Sequence, residues 1–379
     1  MKRFLFKMVA MVMCFVLVVN VNCLAAVETI SVVGDVNNNG VLAPIDALMT
    51  LQAASRMVTF TDQQVDIGDV NWDHKITPVD ALMILQACAG LTTLQYRYMV
   101  YGMNFSPYIL TGQNPESTQV SEAQMHELID IVSPYTKWIR TFNCIGDHVI
   151  LTTIAHDHGL KIAVGAKLGV ETTADQIVAN QAQIQGLISA GLAGADLLVL
   201  GSDVLSKGLI TEAQLLIYIQ QIRLAVPEVR IAMADNYQEF IDHTLVVDAV
   251  DTLIARIDPF SSGIAVDVAV AFVYQKYQQV LAVAGGKPII IESGWPSDGN
   301  EINNAIPSLE NEVFFFKNLA SFQQAEKISF FYAEVFDQRW KSGLSGPYWG
   351  LWNRFKSMKT GIINTFNGET VPDNWTPIP

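Results

Sequence analysis

Residues 197–205 read LLVLGSDVL, and this stretch predicts a buried strand that ends in a carboxylate. Four apolar residues in a row are typical of a strand covered on both faces, as in a parallel sheet. Gly201, Ser202 and Asp203 follow directly, so an acid leaves the strand at its tip. A buried strand with this ending favours a sheet that carries chemistry at one edge.

Short apolar runs of the same kind alternate with amphipathic helical segments from residue 98 onward. The eight predicted strands are 98–104, 138–143, 161–166, 197–201, 229–234, 252–257, 288–292 and 328–334. The predicted helices include 121–132, 174–190, 211–225, 264–284 and 309–322. Eight strand–helix units predict an α/β fold, a (β/α)8 TIM barrel. The alternative is a doubly wound open sheet, which usually has a glycine-rich phosphate turn after its first strand; this chain has none.

Acidic residues finish or directly follow five of the predicted strands, the fourth to the eighth. They are Asp203, Asp235, Asp258, Glu292 and Glu334. One acid after a strand is commonly a helix cap or an ion-pair partner. Because the active sites of such barrels lie at the C-terminal ends of the strands, five acids there predict an acidic cup at that rim.

A duplicated segment precedes the barrel. GDVNNNGVLAPIDALMTLQAAS (34–55) matches GDVNWDHKITPVDALMILQACA (68–89), and each copy ends in an amphipathic helix. Oxygen ligands recur at loop positions 1, 3, 5, 7 and 12, the seventh being a backbone carbonyl. They are Asp35, Asn37, Asn39, Val41 and Asp46 in the first loop, and Asp69, Asn71, Asp73, Lys75 and Asp80 in the second. This spacing predicts two bound Ca²⁺ ions.

The two loops differ from an EF-hand in having Asp at position 12 and one helix per loop. Both features resemble the dockerin module, a small all-α calcium-binding domain. The resemblance implies that the partner is a cohesin domain of a scaffold protein. We expect the cohesin to bind the helix surfaces around residues 47–55 and 81–89. His74 stands where the first loop has Gly40. A left-handed residue other than glycine costs about 1 kcal/mol, so we expect weaker binding in the second loop.

The segment ESGWPSDG (292–299) closely resembles the nucleophile signature of glycoside hydrolase family 17, the β-1,3-glucanases and related glucosyltransferases. Further segments resemble this family in the same order: YGMNFSPY (101–108), WIRTF (138–142), AHDHGLKIAVGA (155–166), FYAEVFDQRWK (331–341) and YWGLW (348–352). The resemblance implies β-glucan as substrate, Glu292 as nucleophile in a retaining mechanism, and no cofactor for catalysis.

The fourth strand departs from the family pattern, which ends in Gly-Asn-Glu-Val with Glu as the general acid/base. Here the pattern reads Gly201-Ser202-Asp203-Val204. Asp203 is shorter than Glu by about 1.5 Å of reach. On an unmoved backbone the carboxyl separation would widen from ~5–5.5 Å to roughly 6.5–7 Å, the lower edge of inverting geometry. Retention, inversion and a catalytically weakened glucan-binding barrel therefore remain open.

Further substrate contacts are predicted around the two acids. The polar candidates are Asn104, Arg140, Ser202, Asp258 and Glu334, and the candidates for stacking on sugar faces are Trp295, Trp340 and Trp349. Each tryptophan has core packing as its alternative, and Arg140 has a structural ion pair within the barrel.

The net charge and the N-terminal segment indicate where the protein acts and which partners it disfavours. The net charge of −14 at pH 7 disfavours nucleic acid and anionic lipid as partners. Basic residues near the start, an apolar run at 8–19 and small residues at 25–26 predict a cleaved secretory signal peptide rather than a retained membrane span. We therefore expect a secreted, extracellular protein, assembled by its cohesin partner into a cell-surface complex.

Four segments are predicted. They are the signal peptide 1–26, the dockerin-like domain 27–95, the barrel 98–365 and a poorly ordered tail 366–379. The two cysteines beyond the signal peptide, Cys88 and Cys144, fall in different predicted domains, so no disulfide framework is expected.

Overall fold

The computed structural model describes residues 32–343 and 346–376, and the predicted signal peptide lies outside them. The described residues divide into two compact units. The first contains residues 32–71 and 76–94, and the second contains 72–75 and 95–376. In the part of the chain that the structure describes, no helix is both long and apolar enough to cross a bilayer.

The first unit is built from the two repeats, except for residues 72–75 of the second repeat, which belong to the second unit. Each calcium-type loop leads into a helix, α1 (Pro44–Ala54) or α3 (Pro78–Cys88), and these two helices pack against each other. Between them lies α2 (Asp62–Gly68), which the sequence analysis did not predict. Its N-terminus is capped by Thr61, whose side chain accepts a hydrogen bond from the Gln64 amide. A helix of seven residues is too short to show a helical period in sequence.

The second unit contains eight parallel strands that form a closed barrel in chain order, which confirms the predicted (β/α)8 fold. The strands are β1 (Val100–Asn104), β2 (Thr136–Arg140), β3 (Lys161–Gly165), β4 (Leu197–Ser202), β5 (Ile231–Asn236), β6 (Thr252–Arg256), β7 (Ile289–Ser293) and β8 (Ser329–Tyr332). Each lies within two residues of its predicted bounds at the start and within three at the end.

Helices surround the barrel. They are α4 (Glu122–Val132), α5 (Leu151–Asp157), α6 (Ala174–Leu192), α7 (Glu212–Ala225), α8 (Tyr237–Asp242), α9 (Thr244–Ala249), α10 (Ala269–Val283), α11 (Leu309–Glu326) and α12 (Ile362–Phe366). Ser121 caps α4 and Thr211 caps α7, as their sequence signals predict. The unpredicted helices α5, α8, α9 and α12 have seven residues or fewer, too few to show a clear period.

The barrel interior explains which side chains reach the C-terminal rim. A layer of apolar residues fills it: Trp138, Ala163, Leu197, Val199, Ala232, Ala234, Ile254, Ile290 and Phe331. Alternate residues of a strand point to opposite faces. Arg140, Arg256 and Glu292 each lie two residues beyond a member of this layer, so they occupy the inner face directly above it.

The C-terminal segment corrects one expectation. Trp375 is buried, and its ring packs 5.6 Å from Phe322 of α11. The Val371 amide donates to the Ser321 hydroxyl at 3.0 Å. The prediction of a poorly ordered tail is therefore wrong for residues 366–376, because burial of one large indole holds this polar segment on the barrel.

Candidate active site and calcium loops

Strand β4 does not end as a regular strand. Its register against β5 shifts between Val199 and Ser202, and two positive φ angles follow, 76° at Gly201 and 57° at Asp203. A Cβ on Gly201 would lie 2.7 Å from a Val204 methyl group, so this turn requires glycine. Bulges of this kind redirect side chains next to active sites. The position of the Asp203 carboxylate thus depends on the bulge as well as on side-chain length.

The Asp203 carboxylate contacts two cations. Its Oδ1 accepts a hydrogen bond from Arg256 Nε at 2.7 Å, and its Oδ2 accepts one from Lys207 Nζ at 3.0 Å. The Asp203 side chain is 15% exposed, whereas that of Lys207 is 60% exposed. Because exposed ion pairs are weak, Arg256 is the stronger of the two partners.

Glu292 lies on the inner face of β7 and is 9% exposed. It forms an ion pair with Arg140 of β2, which is fully buried and donates through Nη2 to the Ser202 hydroxyl at 2.5 Å. Burial lowers the pKa of Arg140 to about 9, partly offset by attraction to Asp203. Arg140 therefore stays cationic at neutral pH and places a positive charge beside the Glu292 carboxyl group.

These side chains form one group, here called the rim cluster: Arg140, Ser202, Asp203, Arg256 and Glu292. Arg256 of β6 is paired with Glu292 of β7 in the sheet register. The charges of Asp203 and Arg256 act on Arg140 in opposite directions: Asp203 raises its pKa and Arg256 lowers it. The cluster therefore brings the acids of the fourth and seventh strands together and balances two carboxylates with two guanidinium groups.

The predicted acidic cup of five carboxylates is wrong. Asp235 shares the outer face of β5 with Met233, and it accepts hydrogen bonds from the Leu205 and Asn236 amides, both at 2.8 Å. Burial raises its pKa, and the hydrogen bonds oppose this shift. Asp258 accepts from the amide and the hydroxyl of Ser261 at 2.9 and 2.5 Å. These two acids hold turns, as acids after strands commonly do.

Two buried acceptors near the rim have unfilled hydrogen-bonding capacity. Asn104, at the inner end of β1, is almost fully buried, and its Oδ1 has no hydrogen-bond partner among the described residues. Glu334 forms an ion pair with Lys341, but its Oε2 has none in the same part of the chain. Because an unsatisfied buried acceptor costs about 1–3 kcal/mol, such atoms suit a ligand that brings hydroxyl donors.

The three predicted stacking tryptophans have different surroundings. Trp295 is fully buried, donates through Nε1 to the Ile306 carbonyl at 3.1 Å and packs on Phe260 and Phe315. The prediction that its ring stacks on a sugar is therefore wrong. Trp340 is 36% exposed, and Trp349 is half-buried. Both remain available to a ligand.

Arg256 and Lys207 were missed by the sequence analysis, which considered only acids and tryptophans at the strand ends apart from Arg140 and two polar residues. The period-two alternation of strand residues could have identified Arg256. Arg256 follows the interior residue Ile254 by two positions, just as Glu292 follows Ile290, so both lie on the inner face. Lys207 lies four residues after Asp203 in an irregular turn, where no sequence period applies.

The calcium-type loops contain buried acids without cationic partners. Asp35, Asp46 and Asp80 are all at most 1% exposed, and the described residues contain no Lys, Arg or His that pairs with them. Isolated buried carboxylates are costly, so these positions fit a bound cation. No three His, Cys, Asp or Glu side chains converge within residues 32–343 and 346–376, so an ion here would also need Asn and carbonyl oxygens.

The loop hydrogen bonds match a folded ligand loop. Asp46 Oδ1 accepts from Asn37 Nδ2 at 2.7 Å, and Asn39 Oδ1 accepts from the Val41 amide at 2.9 Å. In the second loop, Asp80 Oδ1 accepts from the Val70 amide at 3.1 Å and Asp73 Oδ1 from the Lys75 amide at 2.9 Å. Asp69 is buried there as well.

The backbone repeats along with the sequence. Positions 4 and 6 are left-handed in both loops, at Asn38 and Gly40 in the first (φ 56° and 84°) and at Trp72 and His74 in the second (φ 61° and 63°). His74 thus adopts the conformation for which the first loop uses glycine. The expected strain and the weaker calcium binding of the second loop stay predictions.

The fold and the rim cluster define a (β/α)8 barrel of the kind that carries its active site at the C-terminal rim. Residues 102–350 match the family model described as the BtgE/BtgC glycoside hydrolase domain, which covers more than half of the chain. The chain therefore belongs to the BtgE/BtgC glycoside hydrolase family. Residues 33–88 match the Dockerin type I domain, a class of module that binds calcium and cohesins.

Named relatives agree with this assignment. A glucan 1,3-beta-glucosidase of Arthroderma benhamiae is 23% identical over 278 residues, covering 66% of this chain and 88% of the relative. The probable beta-glucosidase btgE of Aspergillus fumigatus is 24% identical over 269 residues, covering 67% of this chain and 45% of the relative. The match thus spans less than half of the second relative's length.

Solved structures also resemble the barrel. The glycoside hydrolase family 17 β-1,3-glucanosyltransferase from Rhizomucor miehei has a TM-score of 0.61 and 25% identity, covering 69% of this chain and 96% of that one. An active-site mutant of the Rhizomucor miehei enzyme, in complex with laminaritriose, gives the same TM-score at 24% identity and supports the fold.

Proposed function

We propose that the barrel hydrolyses β-1,3-glucan with retention of configuration. The observation that carries this proposal is the rim cluster, which joins Glu292 and Asp203 from β7 and β4 through Arg140, Ser202 and Arg256. Retaining glycosidases need two carboxyl groups on one glycosidic bond. The names of the relatives, a glucan 1,3-beta-glucosidase and a β-1,3-glucanosyltransferase, support β-1,3-glucan as the substrate.

In this proposal Glu292 is the nucleophile. Its carboxylate attacks the anomeric carbon while the glycosidic C–O bond breaks and Asp203 supplies a proton to the leaving oxygen. Water then attacks the glycosyl-enzyme, Asp203 takes the proton from that water, and the Glu292 ester breaks. An acceptor sugar hydroxyl in place of water would give glucosyl transfer.

Neighbouring side chains bind the sugar in the same proposal. Asn104 Oδ1 and Glu334 Oε2 accept hydrogen bonds from sugar hydroxyls, since both are buried acceptors with unfilled capacity. Ser202 fixes Arg140, and Trp340 and Trp349 provide stacking surfaces. Asp258 acts on the site only through the turn that it caps.

A second candidate is a glucan-binding barrel with weak or no catalysis. The observation that favours it is the double pairing of Asp203 with Arg256 and Lys207. Both carboxylate oxygens already accept hydrogen bonds, so neither can contact a glycosidic oxygen unless one of these partners moves.

One experiment separates these functions. Purified protein is incubated with laminarin while reducing ends and the anomeric configuration of new ends are followed by proton NMR. Initial β-anomer supports retention, initial α-anomer contradicts it in favour of inversion, and tight binding without product supports the second candidate. Asp251→Asn is a matched control. Asp251 lies just before the N-terminal end of β6, away from the C-terminal rim, and forms an ion pair with Arg223.

We also propose that the two repeats hold two Ca²⁺ ions and bind a cohesin in a secreted complex. The ligands are those of the two loops, Asp35 to Asp46 and Asp69 to Asp80. Corresponding apolar residues of α1 and α3 are exposed on the described surface: Ile45 and Val79, Leu48 and Leu82, and Leu51 and Leu85. Cohesin binding that survives chelation of calcium, or that survives Leu48→Glu combined with Leu82→Glu, would contradict this proposal.

A further inference from the structure

We infer that Lys359 is a positioning residue that fixes the backbone on both sides of Trp349 and so holds this indole ring as a stacking surface for the glucan. The inference rests on the proposed function, in which Trp349 contacts a sugar ring. Lys359 lies outside the rim cluster, and its side chain is only 8% exposed. It therefore acts on the substrate through Trp349 and not by direct contact.

The Lys359 ammonium group is surrounded by acceptors from four segments of the barrel. Nζ donates to the Ser297 hydroxyl at 2.7 Å and to the Tyr348 carbonyl at 3.3 Å. The Ser297 amide donates to the same carbonyl at 2.9 Å. Nζ also pairs with Glu312 and Asp337, at 3.1 and 3.0 Å. Because an unpaired buried charge is costly, this set of partners holds one arrangement.

Two of these partners fix the chain directly before and after Trp349. The Tyr348 carbonyl, on one side, accepts the hydrogen bond from Lys359. On the other side, Asp337 Oδ1 accepts from the Gly350 amide at 3.0 Å, and the same oxygen pairs with Lys359. The two peptide groups that flank Trp349 therefore both depend on one ammonium group.

Trp349 lies beside the proposed nucleophile. A Cβ on Gly294, two residues after Glu292, would lie 3.3 Å from the Trp349 ring. The Glu334 amide donates to the Trp349 carbonyl at 2.8 Å. The indole ring is nearly perpendicular to that of Phe260, with ring centroids 5.7 Å apart, and it is half-buried. The remaining surface of a ring held in this way suits stacking on a sugar.

The main variant is Lys359→Met, which removes the charge and keeps a similar side-chain volume. We expect KM for laminarihexaose to rise about tenfold, as for loss of an aromatic contact. We expect kcat to change less than about threefold, because the acids of the rim cluster stay in place. Lys287→Met is the matched control. Lys287 Nζ donates to the carbonyls of Val247, Asp248 and Val250, but it lies just before the N-terminal end of β7. Both variants should lose stability, and only Lys359→Met should change KM.

A double-mutant cycle tests whether Lys359 acts through Trp349. Trp349→Ala alone should raise KM at least about tenfold, and Lys359→Met added to it should raise KM less than about twofold further. Lys359→Met combined with Glu312→Gln removes the cation together with one of its anions, and it serves if Lys359→Met alone does not fold. Its KM should equal that expected for Lys359→Met.

Three results overturn the inference. They are an unchanged KM in the folded Lys359 variants, a loss of kcat with unchanged KM, and effects of Lys359→Met and Trp349→Ala that multiply. If the wild-type chain binds laminarihexaose without turning it over, the proposed hydrolysis is overturned, and Kd from calorimetry on the same variants tests Lys359 in place of KM. No binding of laminarihexaose by the folded wild-type chain would overturn the proposed function and this inference with it.

Discussion

The two units of this protein both bury acids, but they neutralise them differently. In the first unit, Asp35, Asp46 and Asp80 have no cationic side chain as partner among the described residues. In the barrel, Asp203 and Glu292 contact Arg256 and Arg140. Burying a carboxylate costs much free energy unless a positive charge compensates it. The proposed Ca²⁺ ions would supply that charge to the loops from solution, whereas the barrel supplies it from its own chain.

This difference teaches that a buried acid is identified by its counter-charge and not by its residue type. Hydrogen-bonded acids without cations fit a calcium loop. Acids beside guanidinium groups form a fixed, charge-balanced site, which suits a neutral sugar with many hydroxyl groups. The five strand-end acids looked alike in sequence, and their partners divide them into two site residues, two turn residues and one paired with Lys341.

The largest expected effect comes from removing an acid of the barrel. Glu292→Gln should reduce laminarin hydrolysis by roughly 10⁴-fold or more, because the nucleophile is lost. It also leaves the buried Arg140 without its anion, so the melting temperature should fall. Reducing-end release and thermal unfolding are measured together, with Asp251→Asn as the folded control. Residual activity above a hundredth of the wild type would contradict the role of Glu292.

Removing the external cation tests the other half of the comparison. Chelating calcium in the full chain should unfold the helices of the first unit and leave the barrel folded, because metal binding and folding are coupled in such loops.

Asp46→Asn should weaken calcium binding at the first loop by at least about tenfold, measured by calorimetry. Asp62→Asn, an exposed acid of α2, is the control. Equal calcium affinity in Asp46→Asn and Asp62→Asn would contradict the role of Asp46 as a calcium ligand.

A buried acid that shares its cation gives an intermediate case. Glu312 of α11 and Asp337 both contact Lys359 Nζ, at 3.1 and 3.0 Å. Burial raises the pKa of Glu312 to about 8, because one lysine compensates it only partly. Since its pKa is higher folded than unfolded, its contribution to stability is present below about pH 4.5 and is lost as pH rises toward 8.

Glu312→Gln should therefore remove part of this pH dependence. Between pH 5 and 8 the unfolding free energy of the wild type should fall relative to that of the variant, with a slope approaching about 1.4 kcal/mol per pH unit. Denaturant titrations at several pH values measure the slope, with the exposed Glu310→Gln as control. Parallel curves for wild type and Glu312→Gln would show that Glu312 is ionised throughout.

The smallest expected effect compares the two loops with each other. Gly40→His copies into the first loop the residue that the second loop has at position 6. Gly40 has a φ of 84° and open space around the position of a Cβ, so backbone strain is the main change. We expect about 1 kcal/mol of strain, and hence about fivefold weaker calcium binding by calorimetry. An unchanged affinity would mean that the loop accepts a left-handed histidine without strain.

Particular elements show where sequence reasoning worked. The eight strands were predicted because each is a short, mostly apolar run, and the calcium-type loops because their ligands follow one another at fixed spacing. The helices of seven residues or fewer were missed, since so few residues show no period. Asp235 was misjudged because the identity of an acid does not state which face of the strand it occupies.

The sequence by itself determined the barrel, the duplicated loops, the family resemblance and Glu292 as the candidate nucleophile. All of these depend on residues near one another along the chain. Only the tertiary structure decided that Arg256 and Lys207 face Asp203, that Trp295 is buried and that Trp375 holds the C-terminal segment. These contacts join residues that are distant in sequence or lie in irregular turns. Their partners depend on strand pleat, the β4 bulge and barrel closure, which bring such residues together only in the folded chain.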